Sequence, residues 1–211
     1  MTAGLFDEPQ EPLGDGAVLL RGFALGEAEA LFAAAQGVIA EAPLRHMVTP
    51  GGLAMAVAMT NCGPLGWVSD RRGYRYQGTD PLSGIAWPAP RAHGRPRASR
   101  AAAAAGFDGF APDACLVNRY VPGTRLSLHQ DRDETDYGAP IVSVSLGLPA
   151  VFLWGGTKRA DRPHRVPLQH GDVVVWGGPS RLVFHGVAPL AEGEHEHLGA
   201  QRVNLTFRKA G

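Results

Sequence analysis

Cysteine is nearly absent: Cys62 and Cys115 are the only two in 211 residues. Two thiols cannot build a disulfide framework, and theirs is not zinc-site spacing, so the chain suits a reducing compartment. No apolar run is long enough to span a bilayer. The opening stretch MTAGLFDEPQEPLGDG carries acidic residues and proline where an export signal has a basic start and an apolar stretch. A cytoplasmic protein that does not enter the membrane is therefore expected. A charge excess is missing as well, with 20 Lys and Arg against 20 Asp and Glu. Without a global basic field, any polyanionic partner has to be met by a local patch.

What is present is enough apolar content, 45% of the residues, for one compact domain with its own core. Residues 24–44 repeat apolar side chains at helical spacing, and RASRAAAAAGF at 97–107 is rich in the best helix former. Between these two helices lies a segment dense in Gly, Pro, Arg and aromatics, read as a recognition lid over about residues 45–95. After Cys115 the texture changes to short β-rich runs: CLVNRYV, RLSLH, IVSVSLGL, AVFLWG, DVVVWGG, RLVFHG and RVNLTFR. Seven strands with no helical pattern between them argue for a sandwich or a two-sheet jelly-roll barrel. The expected fold class is α+β, mainly β: a strand core over about 112–211, flanking helices, the lid, and a flexible start over about 1–15.

The stretch LSLHQDRDE places a histidine two residues before an aspartate. On a strand, alternate side chains share a face, which would aim His129 and Asp131 at a common point. Such a triplet is common by chance and gains meaning only with a third ligand. His164, His170, His195 and His197 lie in charged, turn-like surroundings, where a solvated histidine is the usual case. His185 differs, because it ends the apolar run RLVFH and precedes Gly186. Two His and one carboxylate leave about half of an octahedral iron's positions open, although zinc accepts the same ligands.

RVNLTFR sorts Arg202, Asn204, Thr206 and Arg208 onto one face and Val203, Leu205 and Phe207 onto the other. Two arginines on one face in the strand-rich half suggest a buried anion-binding wall. Each is expected to meet a carboxylate, because an unpaired buried charge destabilises by about 3–5 kcal/mol, and the planar Arg fork suits carboxylates. A small dicarboxylate beside an open metal fits that wall, with 2-oxoglutarate the natural candidate.

These segments, together with MVTPGGLAMAVAMTNCGPLGW upstream, resemble the bacterial AlkB alkylated-nucleic-acid repair dioxygenases from about Gly16 onward. The resemblance implies a double-stranded β-helix (jelly-roll) core over about 112–211, with Fe(II) held by His129, Asp131 and His185. It implies 2-oxoglutarate held by Asn118, Tyr120, Arg202, Asn204, Thr206 and Arg208, with Arg208 at the carboxylate beside the keto group and Arg202 at the far one. Oxygen would convert the cosubstrate to succinate and carbon dioxide while an N-alkyl group on a base is hydroxylated; a methyl lesion would then leave as formaldehyde. Trp67 would stack on the flipped base, with Tyr74, Arg75 and Tyr76 at the nearby backbone, Asp133 at the base edge and Arg159 lining the pocket. The implied partner is alkylated single-stranded DNA, with duplex DNA and RNA as further substrates, and the implied state is a monomer. Two alternatives stay open here: an oxygenase for a protein or small molecule, and a metal-binding module without turnover.

Overall fold

The computed structural model describes residues 10–90 and 94–211. Fourteen strands and two α-helices follow one another along the described residues. They are β1 (Gln10–Gly14), β2 (Ala17–Leu20), α1 (Ala28–Glu41), β3 (Arg45–Val48), β4 (Ala54–Cys62), β5 (Gly66–Asp70), β6 (Gly73–Gln77) and α2 (Gly94–Ala104). The second half is all strand: β7 (Ala114–Tyr120), β8 (Leu126–His129), β9 (Ile141–Gly147), β10 (Ala150–Trp154), β11 (His164–Leu168), β12 (Val173–Trp176), β13 (His185–Val187) and β14 (Arg202–Arg208).

One eight-stranded sheet runs β1-β2-β12-β9-β14-β7-β4-β3, and a four-stranded sheet runs β11-β10-β13-β8. The last eight strands divide four and four between the two sheets, which is the expected jelly roll. Its central strands are buried on both faces, and their alternation divides two environments. Val142, Val144, Val173, Val175, Val203, Leu205 and Phe207 pack outward against Leu31, Ala35 and Val38 of α1 and Ala98, Ala101 and Ala102 of α2. Ile141, Val174 and Trp176 turn inward with Phe152 and Trp154 of the smaller sheet. The alanine-rich face of α2 lets that helix lie close on the sheet. Cys62 and Cys115 sit opposite each other in the β4–β7 ladder, both buried and both free thiols.

Several boundaries differ from the sequence reading. Residues 1–9 of the expected flexible start lie outside the described residues, whereas 10–14 form β1, paired with β2 at the sheet edge. The segment read as a lid begins with β3 and β4, and these join the large sheet, β4 pairing with β7. Only the β5–β6 hairpin stands apart as its own two-stranded sheet. Trp87, buried with Ala42 and Val68, braces its base. β11 was not anticipated, because its charged residues and proline hide an alternation in which only Val166 and Leu168 are buried. Among the described residues, no helix is long and apolar enough to cross a membrane.

Candidate active site

His129 and His185 are cross-strand neighbours. β13 runs between β10 and β8, and its register sets His185 opposite both Trp154 and His129. The sequence suggested a strand ending at His185; the strand begins there, since residues 181–184 follow a tight turn and turn Arg181 inward. Each Nδ1 donates to a carbonyl two residues back, His129 to Ser127 at 2.9 Å and His185 to Val183 at 3.0 Å. A carbonyl only accepts, so both protons sit on Nδ1 and both Nε2 lone pairs are free to bind a metal. Those Nε2 atoms lie 3.6 and 3.7 Å from the carboxylate oxygens of Asp131. One donor atom from each of the three residues falls within 4.8 Å of the others. Burial, with His129 adding to it, pushes the His185 pKa down to about 4, so its ring is neutral and ligand-ready at pH 7.

Strand alternation does not explain the direction of Asp131, because β8 stops at His129. Two arginines hold it. Arg181 donates through Nη1 to the Asp131 carbonyl at 2.7 Å, and Arg208 donates through Nη2 to its carboxylate at 2.7 Å. Burial would raise the Asp131 carboxyl, but Arg208, with His185 and His129, outweighs it and holds the group well below the usual carboxylate range.

Arg202, Asn204, Thr206 and Arg208 are all buried on the inner side of β14. Asn204 is locked by Ser143 and the Val144 carbonyl, and it accepts from Asn118 and Thr206. Within the protein, Arg208 reaches the carboxylates of Asp131 and Glu134. Arg202 is held differently. That guanidinium lies over the Tyr120 ring at 4.9 Å and donates once, to Ser145 at 3.0 Å. Its Nε and Nη1, and the Asn118 Oδ1, have no partner among the described residues. Buried donors of a charged group are costly to leave unpaired, so this end of the pocket is built for an anion, and 2-oxoglutarate fits it.

At the mouth, Trp67 and Tyr74 stack nearly parallel, 5.7 Å apart at 12°. Trp67 Nε1 donates to Asp133 at 2.8 Å, and Arg159 lies over the Phe184 ring. All of the residues singled out in the sequence line one pocket of about 800 Å³ except Arg75. The Arg75 guanidinium is clasped by both oxygens of Asp70 and by Gln77, which braces the hairpin, and it lies outside the pocket lining. Tyr76 likewise turns its hydroxyl inward, onto Glu134 at 2.6 Å. Glu134 and Arg181 were not anticipated. Glu134 reads as one more charge in DRDE and Arg181 as the start of an apolar run, and no local signal marks their pairing. Of the remaining histidines, His164 opens β11, while His170, His195 and His197 cluster on the surface, where His170 accepts from the Gly147 amide.

A jelly roll carrying two histidines and an aspartate around an open pocket, with a buried arginine awaiting an anion, defines the iron- and 2-oxoglutarate-dependent oxygenases. The profile described as "2OG-Fe(II) oxygenase superfamily" matches residues 16–208. The chain is 57% identical over 202 residues to the alpha-ketoglutarate-dependent dioxygenase AlkB of Escherichia coli (strain K12), covering 96% of this chain and 94% of that protein. It is 44% identical over 110 residues to the DNA N(6)-methyladenine demethylase ALKBH1D of Arabidopsis thaliana, covering 47% of this chain and 25% of that protein. The solved structure of OsALKBH1 superposes with a TM-score of 0.85 at 30% identity, covering 95% of this chain and 100% of that one. The chain belongs to the AlkB family of 2-oxoglutarate- and Fe(II)-dependent dioxygenases. Its cofactor is Fe(II), and its cosubstrates are 2-oxoglutarate and oxygen.

Proposed function

We propose that this enzyme removes alkyl groups oxidatively from N-alkylated bases, taking the base from a single DNA strand, with duplex DNA and RNA as further substrates. The observation that carries the reading is one pocket lined at its floor by His129, Asp131 and His185 and at its mouth by Trp67 and Tyr74. A volume of about 800 Å³ accommodates a base together with a small dicarboxylate. The names of the AlkB and ALKBH1 relatives agree with it.

His129, Asp131 and His185 would hold iron through the two free Nε2 atoms and the carboxylate. Arg202 would hold the far carboxylate of 2-oxoglutarate and Arg208 the near one, with Asn118, Tyr120, Asn204 and Thr206 shaping the wall between them. Bound iron with 2-oxoglutarate and oxygen supplies the oxidant that hydroxylates the N-alkyl carbon; succinate and carbon dioxide leave, and the carbinol collapses to free base and aldehyde. The protein's own contribution is position. Trp67 stacks on the base, a sequence-tolerant contact of ~1–3 kcal/mol. Asp133, which already accepts from Trp67, has a second oxygen for a base donor or a cationic ring, and Arg159 closes the side. A base in a duplex has to leave the stack to reach a buried triad, so a single strand is the easier substrate.

The enzyme works as a monomer in this reading, and the free thiols at Cys62 and Cys115 fit a reducing cytoplasm. Incubation with iron, ascorbate, 2-oxoglutarate and a methylated oligonucleotide tests the reading. Formaldehyde and repaired base in step with succinate are expected. Succinate formation that no methylated oligonucleotide stimulates would move the substrate to a protein or small molecule.

A further inference from the structure

Two adjacent carboxylates hold the two strands of the recognition hairpin. Asp133, at the pocket mouth, takes the indole N–H of Trp67 on β5. Glu134, with its side chain 2% exposed, takes the hydroxyl of Tyr76 on β6. The same Glu134 Oε1 lies 3.3 Å from Arg208 Nε, while its Oε2 accepts from Arg181 at 3.1 Å. Arg181 in turn holds the carbonyls of Asp131 and Ala139, fixing the loop on both sides of Glu134. Arg208 donates to Asp131 at 2.7 Å. A single buried carboxylate therefore touches the hairpin that meets a base and the arginine assigned above to 2-oxoglutarate.

We propose that Glu134 is a positioning residue that couples closure of the β5–β6 hairpin on a base to the grip of Arg208 on the cosubstrate. The proposal rests on the functional reading given above. Its physical content is a shared acceptor. When a base enters beside Trp67, any shift of β6 moves the Tyr76 hydroxyl on Oε1, the oxygen that also faces Arg208. Arg181 keeps Glu134 from following freely, so the change is felt at Arg208 and not absorbed by the loop. Coupling of this kind is reciprocal: the oligonucleotide tightens 2-oxoglutarate by the same factor that 2-oxoglutarate tightens the oligonucleotide. It also ties consumption of the cosubstrate to the presence of a base.

The test is the dissociation constant of 2-oxoglutarate for the full chain loaded with Mn(II), measured by calorimetry with and without a methylated oligonucleotide. The ratio of the two constants is the readout, because general loosening of the site changes both constants without changing their ratio. The wild-type ratio is expected to reach about 5 or more, the low end of ordinary site coupling. Tyr76→Phe, which removes one hydroxyl, should bring it close to 1. Glu134→Gln, which keeps an acceptor for Tyr76 and loses the charge facing Arg208, should give an intermediate ratio. Under turnover with iron, both variants should form more succinate per formaldehyde than wild type. If Tyr76→Phe keeps the full wild-type ratio, or if wild type binds both ligands with a ratio of 1, the coupling is overturned while the functional reading stands. A wild-type protein that binds no methylated oligonucleotide overturns that reading and the coupling with it.

Discussion

The two ends of the pocket are finished to different degrees. At the base end, the polar groups of the hairpin are satisfied by the protein itself: Trp67 by Asp133, Tyr76 by Glu134, Arg75 by Asp70. At the cosubstrate end, Arg202 keeps two guanidinium nitrogens and Asn118 one oxygen without a partner among the described residues. The first arrangement suits a variable ligand, since the exposed contact of Trp67 with Asp133 can be exchanged at small cost. The second suits an obligatory one, since only a specific anion relieves the buried donors. Substitutions at the two ends should therefore separate in size and in which ligand they affect.

The largest effect is expected at the triad. His185→Ala or Asp131→Ala should reduce turnover well beyond the ~100-fold typical of losing a ligand's outer hydrogen bond. The two should differ in stability, because Asp131→Ala also strips Arg208 of its closest carboxylate. Parallel melting curves and succinate assays would separate the two effects, and near-normal turnover in His185→Ala would remove it from the ligand set.

Arg202→Ala comes next. Loss of one partner from a desolvated ion pair is expected to weaken 2-oxoglutarate by ~2–5 kcal/mol, while oligonucleotide binding measured without the cosubstrate is unchanged. Calorimetry against each ligand decides it, and an unchanged 2-oxoglutarate affinity would break the contrast between the two ends.

A third effect concerns the metal-free protein. His185 has a folded pKa of about 4 against an ordinary 6.5. As pH falls through that window, the unfolded chain gains a proton that the folded chain refuses, so stability drops as pH falls from 6.5 towards 4. At ~1.36 kcal/mol per unit, the loss is on the order of 3 kcal/mol. Denaturant titrations across this range should show it in wild type and not in His185→Ala.

The smallest effects belong to the hairpin. Trp67→Ala should raise KM for a methylated single strand about 10-fold, as losing ~1–3 kcal/mol of stacking implies, without touching 2-oxoglutarate. Arg75→Ala should change the log–log salt slope of oligonucleotide binding by less than the ~0.7 of one phosphate contact, since Asp70 already neutralises that guanidinium. Fluorescence anisotropy at several salt concentrations tests both, and a slope loss of ~0.7 in Arg75→Ala would place it among the substrate contacts.

Alternation alone made much of this legible. RVNLTFR states its two faces in its letters, and because the strand is buried on both sides, each face had to find the environment its residues demand: valine, leucine and phenylalanine against the helices, arginine and asparagine around the pocket. The first helix likewise follows from its apolar periodicity and the second from its alanine content, with ends a few residues inside or outside the expected ones. Local pattern says nothing, however, about contacts between residues far apart in the chain. Asp131 lies beyond its strand and is aimed by Arg181 and Arg208, 50 and 77 residues away. β3 and β4 read as lid because their small residues and flanking glycines carry no sheet signature, and they became sheet because β7 offered them an open edge. The fold of the hairpin also sets Arg75 on Asp70, a pairing that the lid's composition did not announce. The sequence by itself determined which residue types face inward and which chemistry they bring, since side-chain direction along a strand is a local property. Only the tertiary structure decided which of those charges are already paired and which still need a ligand, because pairing depends on distances that no single segment contains.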